Sequence, residues 1–252
     1  MKAIYIFFIL LITQNGFAEV TWQQQAERLQ KISTALTESI PVSTPVGDKK
    51  FDAFVDMSLL PKVNSQVGSK IEETDKPPIH GIPSLRWNHH FHERFATRLW
   101  IGALPSFLAA PLTDHTVNQY LMGIEGQAKF LSHFFASFGY QLSVSSIKGS
   151  ITAEDYVDEV DSIAGIIYSG IGQNTNWGFW SVNAGARRND SEFYIEEDET
   201  TYKFSDQLED SSLPLFTQAT IGTSYKSFTL ALSQLYVPRR LMMPKLSLIY
   251  SW

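Results

Sequence analysis

The 252-residue chain has no cysteine. That absence removes disulfide staples and a lipid-modified N-terminal cysteine. Long hydrophobic runs are also missing: beyond residue 18 no apolar stretch approaches the ~20 residues a transmembrane helix needs. Positive charge is the minority sign, with 20 Lys and Arg against 26 Asp and Glu and a net charge of −6. An acidic chain with no basic cluster speaks against nucleic-acid binding. Hydrophobic residues make up 44% and mean hydropathy is −0.10. Those averages read as soluble unless the apolar residues are dealt out alternately, which hides a membrane-facing surface from any running mean.

What is present begins with a leader pattern. Lys2 supplies a positive charge, Ile4 to Ile12 is apolar apart from Tyr5, and Gly16-Phe17-Ala18 offers small residues at the third and first positions before a cleavage point. Residues 1–18 are therefore expected to be a secretory signal peptide cut after Ala18, since an apolar run this short does not span a ~30 Å hydrocarbon core. Residues 19–50 form a different unit. Trp22, Ala26, Leu29, Ile32, Leu36 and Ile40 recur at helical spacing among polar neighbours, and Pro41 and Pro45 end the pattern. One amphipathic helix and a linker on the periplasmic side are expected, packed at a barrel mouth or loose. A plug inside the lumen ranks second, because interior volume is scarce in small barrels.

From Phe51 onward the period becomes two. Phe51, Ala53, Val55, Met57 and Leu59 share one face, and Asp52, Asp56 and Ser58 the other. Phe134 to Ser145 alternates most cleanly, and weaker alternation marks 84–91, 94–103, 116–127, 159–171, 175–188, 214–225 and 227–236. The final segment, 243–252, places Leu246, Leu248, Tyr250 and Trp252 on one face and Lys245, Ser247 and Ser251 on the other, with Ile249 the exception. A chain ending on such a strand, with aromatics at the last and third-last positions, resembles a Gram-negative outer-membrane β-barrel protein. The resemblance covers about residues 51–252 and identifies no subfamily. It implies an all-β antiparallel transmembrane barrel of about ten strands, with eight to twelve compatible. It also implies that Leu246, Leu248, Tyr250 and Trp252 are the signal read by the barrel assembly machinery.

Connector lengths agree. Long connectors alternate with short ones, about 24 residues and then about 2 at the start. Transmembrane barrels have long outer loops, tight periplasmic turns and both termini on the inner side. The competing architecture is a secreted soluble ligand-binding barrel, whose strands also alternate but turn the apolar face inward. Here the polar face carries ionisable residues and the apolar face carries aromatics near strand ends, as a membrane girdle does.

Chemistry-bearing residues form three groups. Asp52, Asp56, Arg86, Arg94, Arg98, Glu125 and Arg187 are expected to line the lumen, either as a filling ion-pair network or as a narrow pore with a mild anion preference. His89, His90 and His92 sit beside Glu93, and a solvated turn is favoured over a metal site because no second ligand cluster exists. Asp114, His115, Ser106 and His80 are the candidates for a barrel hydrolase acting on lipid or peptide, but the triad logic is not met by position. Acids crowd 154–161 and the outer loop 189–213, which reads as a solvated face or a divalent-cation bridge to lipopolysaccharide phosphates. The expected protein is a non-enzymatic monomer of the outer membrane with a structural or narrow-pore role. It needs no cofactor and no metal; its partners are outer-membrane lipid, lipopolysaccharide and the assembly machinery.

One consequence is direct. Deleting Trp252, or changing Tyr250 and Trp252 to Ser, is expected to block insertion far more than changing Ser251, as read by heat-modifiable gel mobility of membrane fractions. Normal insertion of both aromatic variants would remove the terminal strand from its assigned role.

Overall fold

The computed structural model describes residues 37, 40–45, 47–59, 65–67, 70–72, 79–106, 116–150, 156–197, 200–204, 215–238 and 241–252. The leader and nearly all of the expected helix lie outside these residues. Ten strands close a single antiparallel ring: β1 (Phe51–Leu59), β4 (Ile79–His92), β5 (Phe95–Leu104), β6 (Thr116–Lys129), β7 (Phe134–Ser150), β8 (Tyr156–Thr175), β9 (Gly178–Glu197), β11 (Leu215–Tyr225), β12 (Phe228–Val237) and β13 (Leu241–Ser251). Two short strands, β2 (Ser65–Val67) and β3 (Lys70–Glu72), pair only with each other, and β10 (Thr200–Phe204) pairs with the far end of β9.

Closure joins the first barrel strand to the last. The register runs from Asp52 opposite Ser251 to Ser58 opposite Lys245. At the rim Phe51 and Trp252 exchange backbone hydrogen bonds of 3.3 and 3.0 Å, and their rings stack at 5.9 Å. Turns on this side are tight, for example between His92 and Phe95 and between Tyr225 and Phe228. Gly178 opens β9 with φ of +152°, where a Cβ would collide with the Gly222 carbonyl.

The barrel is apolar outside and polar within. Leu85, Ile101, Met122, Phe138 and Leu232 are each more than half exposed, whereas Arg98 and Arg187 are buried. Only a hydrocarbon solvent rewards that arrangement, so the chain is a barrel of the outer-membrane type. Trp87, Phe91, Phe95, Trp177, Tyr225, Phe228, Tyr250 and Trp252 stand exposed on the strand ends and turns at the terminus side. They form the aromatic girdle expected at a membrane interface.

Strands β7, β8 and β9 run for 17, 20 and 20 residues. A tilted strand needs only ~9–11 to cross the hydrocarbon, so these three project beyond it. The projection corrects the expectation that 189–213 is all loop, and it starts β8 before the expected residue 159. Glu159 and Asp161 belong to β8 and Asp190 and Glu192 to β9, with Asp161 directly opposite Glu192. Beyond the membrane both faces meet water, so the ladder continues without the alternation that betrays it elsewhere.

Inside, glycines make room for flat rings. A Cβ on Gly123 would overlap the Trp100 ring, and one on Gly139 the Tyr168 ring. Gly126, on the outer face, has only the Phe138 carbonyl oxygen near, at 3.9 Å. Gly139→Val is therefore expected to destabilise the barrel by about 1–3 kcal/mol through overpacking. Gly126→Ala stays within about 0.5 kcal/mol of the parent. Urea unfolding in lipid vesicles measures both; equal effects would remove Gly139 from its role.

Candidate functional site

The lumen takes its character from residues of one parity on each strand, which place charged and amide side chains inside. On β1 and β4, Asp52 accepts from Arg86 Nε at 2.6 Å and from Asn88 Nδ2 at 3.0 Å. On β5 and β6, Arg98 Nη1 donates to Glu125 Oε1 at 3.0 Å. The other oxygen of Glu125 accepts from the Tyr168 hydroxyl at 3.0 Å. Asp56 pairs with Lys245 Nζ at 3.4 Å and accepts from Ser247 Oγ at 2.5 Å. These ion pairs are almost fully buried. A charge held there without a partner would cost several kcal/mol, roughly, and each of these three cations sits beside a carboxylate.

The second component is the linker. Residues 40–44 are buried inside the barrel, with Ile40 and Ser43 wholly enclosed. For these residues the expected periplasmic linker gives way to the second-ranked placement, inside the lumen; residues 19–36 of the expected helix lie outside the described residues. Lumen donors, otherwise left with empty bonding positions, draw the backbone in. Arg86 Nη1 donates to the Val42 carbonyl at 3.2 Å, Gln127 Nε2 to the Thr44 carbonyl at 3.0 Å, and Lys245 Nζ to the Ile40 carbonyl. The Thr44 hydroxyl accepts from Arg86 Nη2 at 3.4 Å and Arg98 Nη2 at 3.2 Å, standing between two guanidiniums. Ser43 Oγ donates to Glu125 Oε2 at 2.6 Å and accepts from Asn183 Nδ2 at 3.4 Å. Apolar contacts match: Val42 clusters with Phe179 and Ala231, and Ile40 joins the interior cluster that includes Trp100 and Met243. The chain leaves the lumen past Asn88, whose side chain donates to the Lys49 carbonyl at 3.2 Å. We call residues 40–45 the strap.

Of the seven residues expected in the lumen, Asp52, Asp56, Arg86, Arg98, Glu125 and Arg187 are buried there. Arg94 is not. It occupies the two-residue turn between β4 and β5, is exposed, and donates its N–H to His92 Nδ1 at 3.3 Å. A register shift between His90 and His92 moves the start of β5 to Phe95, so Arg94 belongs to neither face. His89, His90 and His92 are exposed, and the His89 ring lies 5.3 Å from Trp87 and 4.6 Å from Phe91. Among the described residues no three His, Cys, Asp or Glu side chains gather as metal ligands would.

His80, at the outer end of β4, faces the lumen, its ring Nε2 2.6 Å from Gln119 Oε1, because β4 begins at Ile79 and gives His80 the parity of Arg86. Asp114 and His115 lie outside the described residues, and the Ser106 N–H is bonded to Asn118 Oδ1 at 2.9 Å. Lys245 was missed, and an insert in the lumen was only the second-ranked expectation. Lys245 was legible, since it shares the polar face of the last strand; the strap carries no alternation to read. Leu248, Tyr250 and Trp252 point outward with Leu246, on the face opposite Lys245 and Ser247.

No family model matches the sequence, and no curated protein matches it significantly. Solved structures of similar shape include the translocator domain of autotransporter NalP from Neisseria meningitidis, at 10% identity over 91% of this chain and 95% of that one, with a TM-score of 0.46. The Pseudomonas putida toluene transporter TodX aligns at 8% identity over 88% and 76%, with a TM-score of 0.42. The KdgM porin aligns at 10% identity over 80% and 99%, with a TM-score of 0.31.

The buried pair generates a measurable coupling. Glu125→Gln or Arg98→Met alone is expected to cost about 3–5 kcal/mol by stranding the other charge, and the double variant less than the sum. Unfolding midpoints of the four proteins in vesicles give the coupling; strict additivity would mean that the pair does not act as one.

Proposed function

We propose that this protein is a narrow outer-membrane pore whose lumen is held shut at rest by its own strap. One observation carries the reading: residues 40–44 are enclosed by the barrel wall and use their oxygens on wall donors. A barrel with a purely structural role needs no such insert, because interior ion pairs and rings already fill space. The wall pairs Arg86–Asp52, Arg98–Glu125 and Lys245–Asp56 keep a partner when the strap is gone. An emptied lumen therefore stays charged, paired and wettable. On this proposal the protein sits in the outer membrane as a monomer, reaches it through a cleaved leader, and meets lipopolysaccharide and the assembly machinery. The lumen makes or breaks no covalent bond in this scheme.

Planar-bilayer recordings test it. The full-length protein is expected to be closed for most of the record, and a variant lacking residues 19–45 to carry steady current. Ser43→Ala with Thr44→Val is expected to open intermittently, because it removes the hydroxyls that bind Glu125 and the two arginines. Silence of all three proteins across salts, with each shown to be inserted, would replace the pore by a structural role.

A further inference from the structure

The bonds that hold the strap have an unusual composition. Three of its backbone carbonyls, those of residues 40, 42 and 44, are each taken by a wall side chain: Lys245, Arg86 and Gln127. The spacing is i, i+2, i+4, the repeat at which an elongated chain turns every second carbonyl to the same side. One local bend interrupts the run, where the Thr44 N–H donates to the Val42 carbonyl at 3.1 Å. Only two strap side chains make hydrogen bonds to the wall, and both are hydroxyls: Ser43 to Glu125 and Asn183, and Thr44 to Arg86 and Arg98. A carbonyl is common to every residue type, so this grip reads the main chain rather than a sequence.

We propose that the lumen is a binding site for an extended polypeptide, occupied in this structure by the chain's own residues 40–45. Any peptide segment that offers carbonyls at the same repeat and hydroxyls at two successive positions fits the same donors. Each arginine divides its donors, one part to its wall carboxylate and another to the strap. The ligand expected is therefore neutral peptide oxygen rather than a second full anion, since the cations are already paired. Recognition of main-chain groups with a few side-chain checks is a known way of holding extended peptides. The inference rests on the strapped-pore reading only in that the strap must be able to leave.

The test uses the barrel lacking residues 19–45, its folding verified by heat-modifiable mobility, and a fluorescent synthetic peptide of residues 37–47. Saturable binding by anisotropy and block of current in the bilayer are expected. A peptide with Ser43→Ala and Thr44→Val should bind roughly tenfold more weakly, the loss that follows from giving up hydrogen bonds to charged groups. A scrambled peptide that keeps Ser-Thr in the middle should bind about as well as the native one. On the wall, Gln127→Met removes a donor without stranding a charge and should weaken binding of every peptide. Absence of saturable binding, or binding of the native peptide alone, overturns the proposal. The two readings fail separately: a barrel that conducts but ignores peptide loses the site and keeps the pore, whereas one that binds peptide but never conducts loses the pore and keeps the site.

Discussion

Two guanidiniums placed side by side in a low-dielectric interior repel each other, and Arg86 and Arg98 are so placed, on neighbouring strands with one parity. Their coexistence is the constraint on which the rest of the lumen depends. Each is offset by a carboxylate on an adjacent strand, Asp52 for one and Glu125 for the other. Both also point a remaining donor at one oxygen, the Thr44 hydroxyl. A hydroxyl oxygen has two lone pairs, so it can accept from both at once without adding charge. The carboxylates neutralise the cations, and the strap satisfies what geometry leaves over.

That constraint propagates outward into the wall. Glu125 is held by Arg98, by the Tyr168 hydroxyl and by Ser43. Tyr168 reaches it only because Gly139 has no side chain, which lets the ring lie against β7. A position that looks like a lapse in a strand pattern is thus what positions a phenol two strands away from the acid it serves. Packing and electrostatics are one problem here: a larger residue at 139 would displace the ring and so disturb a buried ion pair. The exterior is governed by different physics, since lipid asks only for apolar area and an aromatic rim. Phe51, Tyr250 and Trp252 meet that demand where the ring of strands closes.

Most of the barrel was legible because alternation with period two is a strong signal wherever the two faces meet different solvents. Phe51 to Leu59 and the last strand show it, and their pairing follows from closure. The signal fails where the solvents stop differing. Beyond the membrane, Asp190 and Glu192 sit in a continuous ladder opposite Ile163 and Asp161, yet their sequence reads as loop. At the turn, the shift between His90 and His92 carried Arg94 out of the lumen, and a one-residue irregularity of that kind leaves no mark on composition. The strap was illegible for a deeper reason. Ile40 to Thr44 makes contacts with β4, β5, β6, β9 and β13, all distant in sequence, and has no periodicity of its own.

The same features bear on whether the strap is a fixed filler or a removable one. A permanent core element would be expected to bury large side chains and to pair its backbone within a sheet. The strap pairs with no strand, and its largest side chains are Ile40 and Val42. Its hold comes mainly from hydrogen bonds to side chains that already have another partner, so withdrawing it strands no ion. Removal exposes donors that water can satisfy, whereas removing Glu125 or Asp52 would leave a bare guanidinium. The difference in cost between those two events is what separates an occupant from a wall, and by that measure residues 40–45 are an occupant.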